Sequence, residues 1–182
     1  MKSVLRIVGL GVSAILLTAT LAIAADYTEA EKQALKDRVS SFQQAFATGD
    51  FATIVDVIPP KMLHHMATRA NTDASALRTQ LIALTETSMK EVVVDDIKMD
   101  LDQIRYETTP TDAPYALVPT DFTFTLADGT TLRSESMTLA LRDAETWYLV
   151  RVQEGAQLLV LTEVYPEFKG VDFGKGRLTV PD

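Results

Sequence analysis

The stretch Leu84-Thr85-Glu86-Thr87-Ser88-Met89-Lys90-Glu91-Val92-Val93-Val94-Asp95-Asp96-Ile97-Lys98-Met99-Asp100-Leu101 changes its hydrophobic period midway. Leu77, Leu81, Leu84 and Met89 mark one face of a helix. From Val92 onward, Ile97, Met99 and Leu101 alternate with charged or polar residues, the period of a half-buried strand. The mature chain before Val92 reads helical, and most of the chain beyond it reads as strands. That order predicts an α+β fold, with N-terminal helices packed on a curved antiparallel sheet of about four strands.

Backward from the switch, Asn71-Thr72-Asp73 is a break with capping potential. A helix is predicted from Lys61 to about Ala70, just after Pro59-Pro60, which ends a shorter helix carrying Phe51, Ile54, Val55 and Ile58. The first helix spans Thr28 to Thr48, with Leu35, Val39, Phe42 and Phe46 on its apolar face. Thr28 and Glu31 have the spacing of a capping box, and Gly49 supplies a stop.

Forward from the switch, the alternation jumps phase to Ile104 and Tyr106, predicting a bulge or strong bend near Asp102-Gln103. Thr109 to Pro114 is rich in turn residues. A strand is predicted from Tyr115 to Leu126, then a tight hairpin at Asp128-Gly129. Its partner carries Leu132, then Met137, Leu139 and Leu141, again with a phase change. Trp147 to Val152 is apolar on both faces, as expected of a central strand. Ala156 to Tyr165 fits a short helix better than a fifth strand. Pro166 and the glycines at 170, 174 and 176 are expected to break regular structure. The core is placed at about 28–152, within a single domain of 25–182, with an irregular extension over 153–182.

Residues 1–24 have the layout of a secretory signal. Lys2 and Arg6 form a positive head, an apolar run comes next, and Ala22-Ile23-Ala24 offers small residues where a signal peptidase cuts. The competing reading is an uncleaved anchor, because the apolar stretch approaches the roughly 20 residues a bilayer needs. The acidic sequence directly after Ala24, with no basic stop-transfer cluster, favours cleavage. The expected location is the bacterial periplasm or the exterior, with no stable membrane span after cleavage.

Composition narrows the function classes. The chain carries 17 basic and 25 acidic residues, a net charge of −8. Losing Lys2 and Arg6 with the leader takes the basic count to 15 and the net charge to −10. That acidity argues against nucleic acid as a partner. The chain has no cysteine, so disulfides, thiol catalysis and cysteine-based metal sites are excluded.

The first helix ending in Phe46-Ala47-Thr48-Gly49-Asp50-Phe51, the Ala127-Asp128-Gly129 hairpin and the strand opening Trp147-Tyr148 together resemble the nuclear transport factor 2-like superfamily. A cystatin-like relative fits the same order. The superfamily commonly has a strand or hairpin between its helices and main sheet, whereas residues 71–91 here read as another helix. The resemblance implies a cone with a ligand-sized mouth, and homodimerisation through the open sheet face. The superfamily includes isomerases and dehydratases alongside members that only bind or assemble.

Tyr106, Tyr115, Asp121, Arg133 and Arg151 fall on sheet positions from which they would reach a concave face. Arg151 interrupts an otherwise apolar strand and calls for a partner, either a carboxylate ligand or Asp121 or Glu135. His64-His65 is the only histidine pair. Adjacent helical residues point about 100° apart, so the two do not readily share one ion. Asp95, Asp96, Asp100 and Asp102 lack the spacing, glycine and glutamate of a calcium loop. Ser134 and Ser136 lack a nucleophile-elbow pattern. The reading is therefore no metal, no cofactor and no assigned catalytic residue, with Tyr106, Tyr115, Asp121, Arg151 and His64 as candidate ligand-binding residues. The expected role is non-catalytic binding of an apolar or acidic small molecule. One alternative is an isomerase- or dehydratase-type enzyme using Asp121 or His64 as base. Another is an interaction subunit that contacts an envelope protein.

Overall fold

Thr28 adopts extended backbone, its hydroxyl accepts from the Glu31 N–H at 3.2 Å, and the Glu31 carboxylate accepts from the Thr28 N–H at 2.8 Å. This reciprocal box starts helix α1 (Glu29–Thr48). The computed structural model describes residues 27–152 and 155–181, so the expected leader and its expected cleavage point lie outside the described residues. Gly49 ends α1 at φ +68°, in the left-handed region where a side chain would be strained. Asp50 then caps α2 (Phe51–Val55) through Thr53 N–H at 3.1 Å. α3 (Pro60–Arg69) opens on a proline, and α4 (Ala74–Glu91) on Asp73, whose carboxylate accepts from Ala76 N–H at 2.8 Å. The helix over 71–91 is thus present, and α4 passes into the sheet at Val92.

The strands are β1 (Val92–Met99), β2 (Arg105–Thr108), β3 (Pro114–Leu126), β4 (Thr131–Asp143), β5 (Thr146–Arg151) and β6 (Arg177–Thr179). β1 and β2 lie end to end along one side of β3, and β5 and β6 lie end to end along the outer side of β4. The described residues therefore form an antiparallel sheet four strands wide, curled into a half-barrel behind the N-terminal helices.

The expected bend near Asp102-Gln103 is the break between β1 and β2. There the Asp100 carboxylate accepts from the N–H groups of Asp102 and Gln103, at 3.0 and 3.2 Å, and turns the chain. A separate register shift lies between Val94 and Asp96. In β4 the phase change has a different cause. β4 pairs with β3 without a shift from Thr131↔Thr125 to Leu141↔Tyr115. The change lies in which face is covered.

α1 crosses the inner face of the sheet. Near its start the Glu31 carbonyl accepts from Trp147 Nε1 of β5 at 3.0 Å, and near its end Gln43 donates to the Ile97 carbonyl of β1 at 3.2 Å. Leu35, Val39, Met99, Ala116, Val118, Ala140, Trp147 and Leu149 pack together there. On the outer face Tyr115, Leu117, Leu139, Leu141 and Val150 are buried under the chain beyond the sheet. That cover is α5 (Gly155–Val164), a short 3-10 turn at Pro166–Phe168, and the segment to Phe173.

Two expectations change accordingly. Trp147 to Val152 is not central: β5 lies at an edge, and its two apolar faces meet α1 on one side and the C-terminal segment on the other. Its outer backbone is closed by Leu149 N–H donating to the Val57 carbonyl at 2.9 Å. The extension over 153–182 is only partly irregular. Leu161, Tyr165, Phe168 and Phe173 are buried in the outer cluster, and β6 pairs with β4.

Candidate functional site

Strand register decides which side chains meet the helices. Directly opposed residues share a face, so Ile97, Phe122 and Ser134 lie in one row of the inner face, and Thr120 with Ser136 in the next. Thr138 and Arg151, opposed across β4 and β5, continue it. Toward the hairpin end, α1 no longer fills this face with small contacts but presents Phe42 and Phe46. α2, α3 and the loop between them add Ile54, Ile58, Met62 and Met66, and α5 adds Gln157. Between these elements lies a partly enclosed cavity of about 350 Å³.

Its wall is mostly apolar. Phe42 and Phe46 meet edge to face at 5.1 Å between ring centres, and Phe46 meets Phe122 at 5.9 Å. The polar part is one stripe of sheet. Thr120 donates to the Val118 carbonyl at 3.1 Å and shares a 2.8 Å hydrogen bond with Thr138. Ser134, only 4% exposed, accepts from the Arg151 guanidinium at 3.3 Å. Gln157 Oε1 is buried and has no hydrogen-bond partner. A buried amide oxygen left in this state costs about 1–3 kcal/mol, so it marks a place where a ligand donor or a rotated amide would be rewarded.

The five candidates from the sequence do not converge. Arg151 lines the cavity. Tyr106 is on the inner face but at its packed end, its ring 5.1 Å from Tyr27 and its hydroxyl buried without a partner. Burial raises its pKa. Tyr115 lies on the outer face and donates to Glu107 at 2.8 Å; burial, then that bond to a carboxylate, holds its hydroxyl protonated. Asp121 is also on the outer face, held by Arg133 Nε at 3.0 and 2.9 Å, and these bonds lower its pKa. His64 is exposed on α3. Its neighbour His65 instead pairs with Glu163 at 2.8 Å, tying α3 to α5, and Arg69 joins the same carboxylate at 2.8 Å.

The expected pairing of Arg151 with Asp121 or Glu135 is replaced by another arrangement. Those carboxylates stand on the outer face, where Arg133 holds Asp121 and Arg177 holds Glu135. Arg151 stands on the inner face beside Ser134.

Sequence reasoning misses Ser134, Ser136 and Thr138 as cavity-lining groups, because it weighs the two serines only as nucleophiles. Their i, i+2, i+4 spacing is the signal that finds them: three hydroxyls on one face of a strand. Gln157 carries no such signal, because its place depends on how α5 folds back. Among the described residues lining the cavity, Arg151 is the one charged side chain, and there is no carboxylate, imidazole or amine to move a proton. Among the described residues no three histidine, aspartate or glutamate side chains gather as a metal site. Nor is any described helix long and apolar enough to cross a membrane. The arrangement can enclose an apolar body and hydrogen-bond one polar end.

No protein-family model, curated protein or solved structure matches the chain.

Proposed function

We propose that this is an exported, non-catalytic binding protein that holds a small, largely apolar ligand between α1 and the inner face of the sheet. The observation that carries the reading is the cavity of about 350 Å³, walled by aromatic and aliphatic side chains with a few polar groups on one stripe. Ligand sites characteristically have this size and this balance of apolar wall to placed polar groups. The leader at 1–24 supports export, and the order of helices and curled sheet supports kinship with nuclear transport factor 2-like domains.

A thermal-shift comparison tests the reading. An apolar ligand at a hundred times its Kd stabilises the native state by about 2.7 kcal/mol. The protein is expected to gain several degrees in Tm with small apolar acids or alcohols. A Ser136→Trp variant, whose indole would occupy the cavity, is expected to gain none. Equal shifts in both proteins would place the binding elsewhere and defeat the proposal.

A further inference from the structure

We propose that the ligand is an uncharged alcohol of about a dozen non-hydrogen atoms. Its hydroxyl donates to the buried Gln157 Oε1, and its apolar body lies against Phe42, Phe46 and Phe122. This rests on the reading of the cavity as a ligand site, and it names the class of ligand that site selects.

Unmet hydrogen-bonding capacity in the wall is the first argument. Gln157 lines the cavity from α5, and its Oε1 is buried without a donor. The sheet hydroxyls do not supply one. Thr120 donates to the Val118 carbonyl, so in its bond with Thr138 it accepts, and the Thr138 proton is used there. Ser134 Oγ accepts from Arg151 and keeps its own proton, which does not reach the Gln157 oxygen. The wall therefore holds an acceptor that lacks a donor, and a serine proton free to be given. A hydroxyl has one proton to donate and lone pairs to accept, so it answers both kinds of group.

Charge is the second argument. No described lining residue is a carboxylate, so an ammonium head finds no counter-ion in the wall. An ionised carboxylate head only accepts, and its charge would stand against the negative end of the Gln157 amide. Arg151 also lines the cavity, but it makes a further interaction besides its bond to Ser134, so the head group is assigned without its charge.

Size sets the length. At about 30 Å³ for each water-sized group, 350 Å³ holds roughly a dozen such groups. A straight alcohol of about ten carbons meets this estimate and leaves an aliphatic chain to fill the aromatic wall.

The experiment is a calorimetric titration of the protein with 1-decanol and with 1-methoxynonane, an ether with the same non-hydrogen atoms and no O–H. Decanol is expected to bind about tenfold more tightly, the scale of a hydrogen bond that satisfies a buried acceptor. Decanoate, titrated alongside, should bind less tightly than decanol. Gln157→Met keeps a side chain of similar length and removes the acceptor, so it should abolish the advantage of decanol over the ether. Equal or tighter binding of the ether, tighter binding of decanoate, or a decanol advantage that persists in Gln157→Met overturns the assignment of the head group and leaves the apolar site standing. An amide turned to present its N–H would give the first of these results. Failure of all three ligands to bind removes the site itself. The comparison of alcohol with ether on the unaltered protein decides the matter even if the variant does not fold.

Discussion

The hydroxyls of Thr120 and Thr138 lie 2.8 Å apart across β3 and β4, on the line where the packed interior gives way to the cavity. On one side of them Val118 and Ala140 are fully buried against α1. On the other, Phe122 and Ser136 are only partly covered and face open volume. The same two strands thus serve as core at one end and as cavity wall at the other. The hydroxyl pair lets polar side chains sit at this border with both groups bonded.

Truncations on the two sides of that line should differ in cost. Leu35→Ala, at a fully buried position under the packed end, is expected to lose about 2–5 kcal/mol in chemical denaturation. Ile54→Ala on the cavity wall, already half-buried at most, should lose well under that, about 1 kcal/mol, because less apolar surface leaves a packed environment.

The start of α1 has its own signature. Thr28→Ala removes one half of the capping box and should cost about 1 kcal/mol. Because the Trp147 indole bonds to the Glu31 carbonyl in that first turn, near-ultraviolet circular dichroism of Trp147 should report loosening before the global transition.

Alkaline pH should unfold the protein through its tyrosines. Tyr27, Tyr115 and Tyr165 are buried, and burial raises each hydroxyl's pKa above the ordinary value of 10.0. The folded state therefore holds these protons more tightly than the unfolded chain does. The stability this adds is complete below pH 10 and is lost as pH rises from there toward the folded values. Tyrosinate absorbance from these three should appear together with the loss of secondary structure, not ahead of it.

At the acid end Asp121 contributes with the opposite sign. Hydrogen bonds from Arg133 lower its pKa from an ordinary 3.8, so its stabilisation is present above that value and fades as pH falls through the lower, folded one. The pair is partly exposed, which limits its worth to about 1 kcal/mol or less. Asp121→Asn should flatten the acid limb of the stability curve by that amount and leave ligand affinity unchanged, since Asp121 stands on the outer face.

The local grammar of the chain is readable from residue types. Thr28 with Glu31, Gly49, Asp50, Pro60 and Asp73 mark helix ends through hydrogen bonds and backbone limits that depend on neighbours within a turn. The switch at Val92 likewise shows in side-chain period. Facing is harder. Leu132 and Met137 look out of phase because α5 and the chain after it cover the outer face only from Met137 onward, and no local pattern records where a later segment will fold. The same reason separates Tyr106 from Tyr115, which look alike in sequence and occupy opposite faces of the sheet. Arg151, which lines the cavity, is legible because a charge on an apolar strand stands out against its neighbours. Gln157 is not, because its position depends on the path of the chain after β5.

The most direct test of the proposed ligand site is the methyl spectrum of the methionines. Met62 and Met66 line the cavity, whereas Met99 is packed in the inner core, Met137 lies on the outer face and Met89 is on α4. Titration with 1-decanol, monitored by nuclear magnetic resonance of methyl-labelled methionine, should shift the Met62 and Met66 signals in saturating fashion and leave those of Met89 and Met137 in place. Shifts confined to Met89 or Met137, or none at any methionine under saturating 1-decanol, would contradict the account.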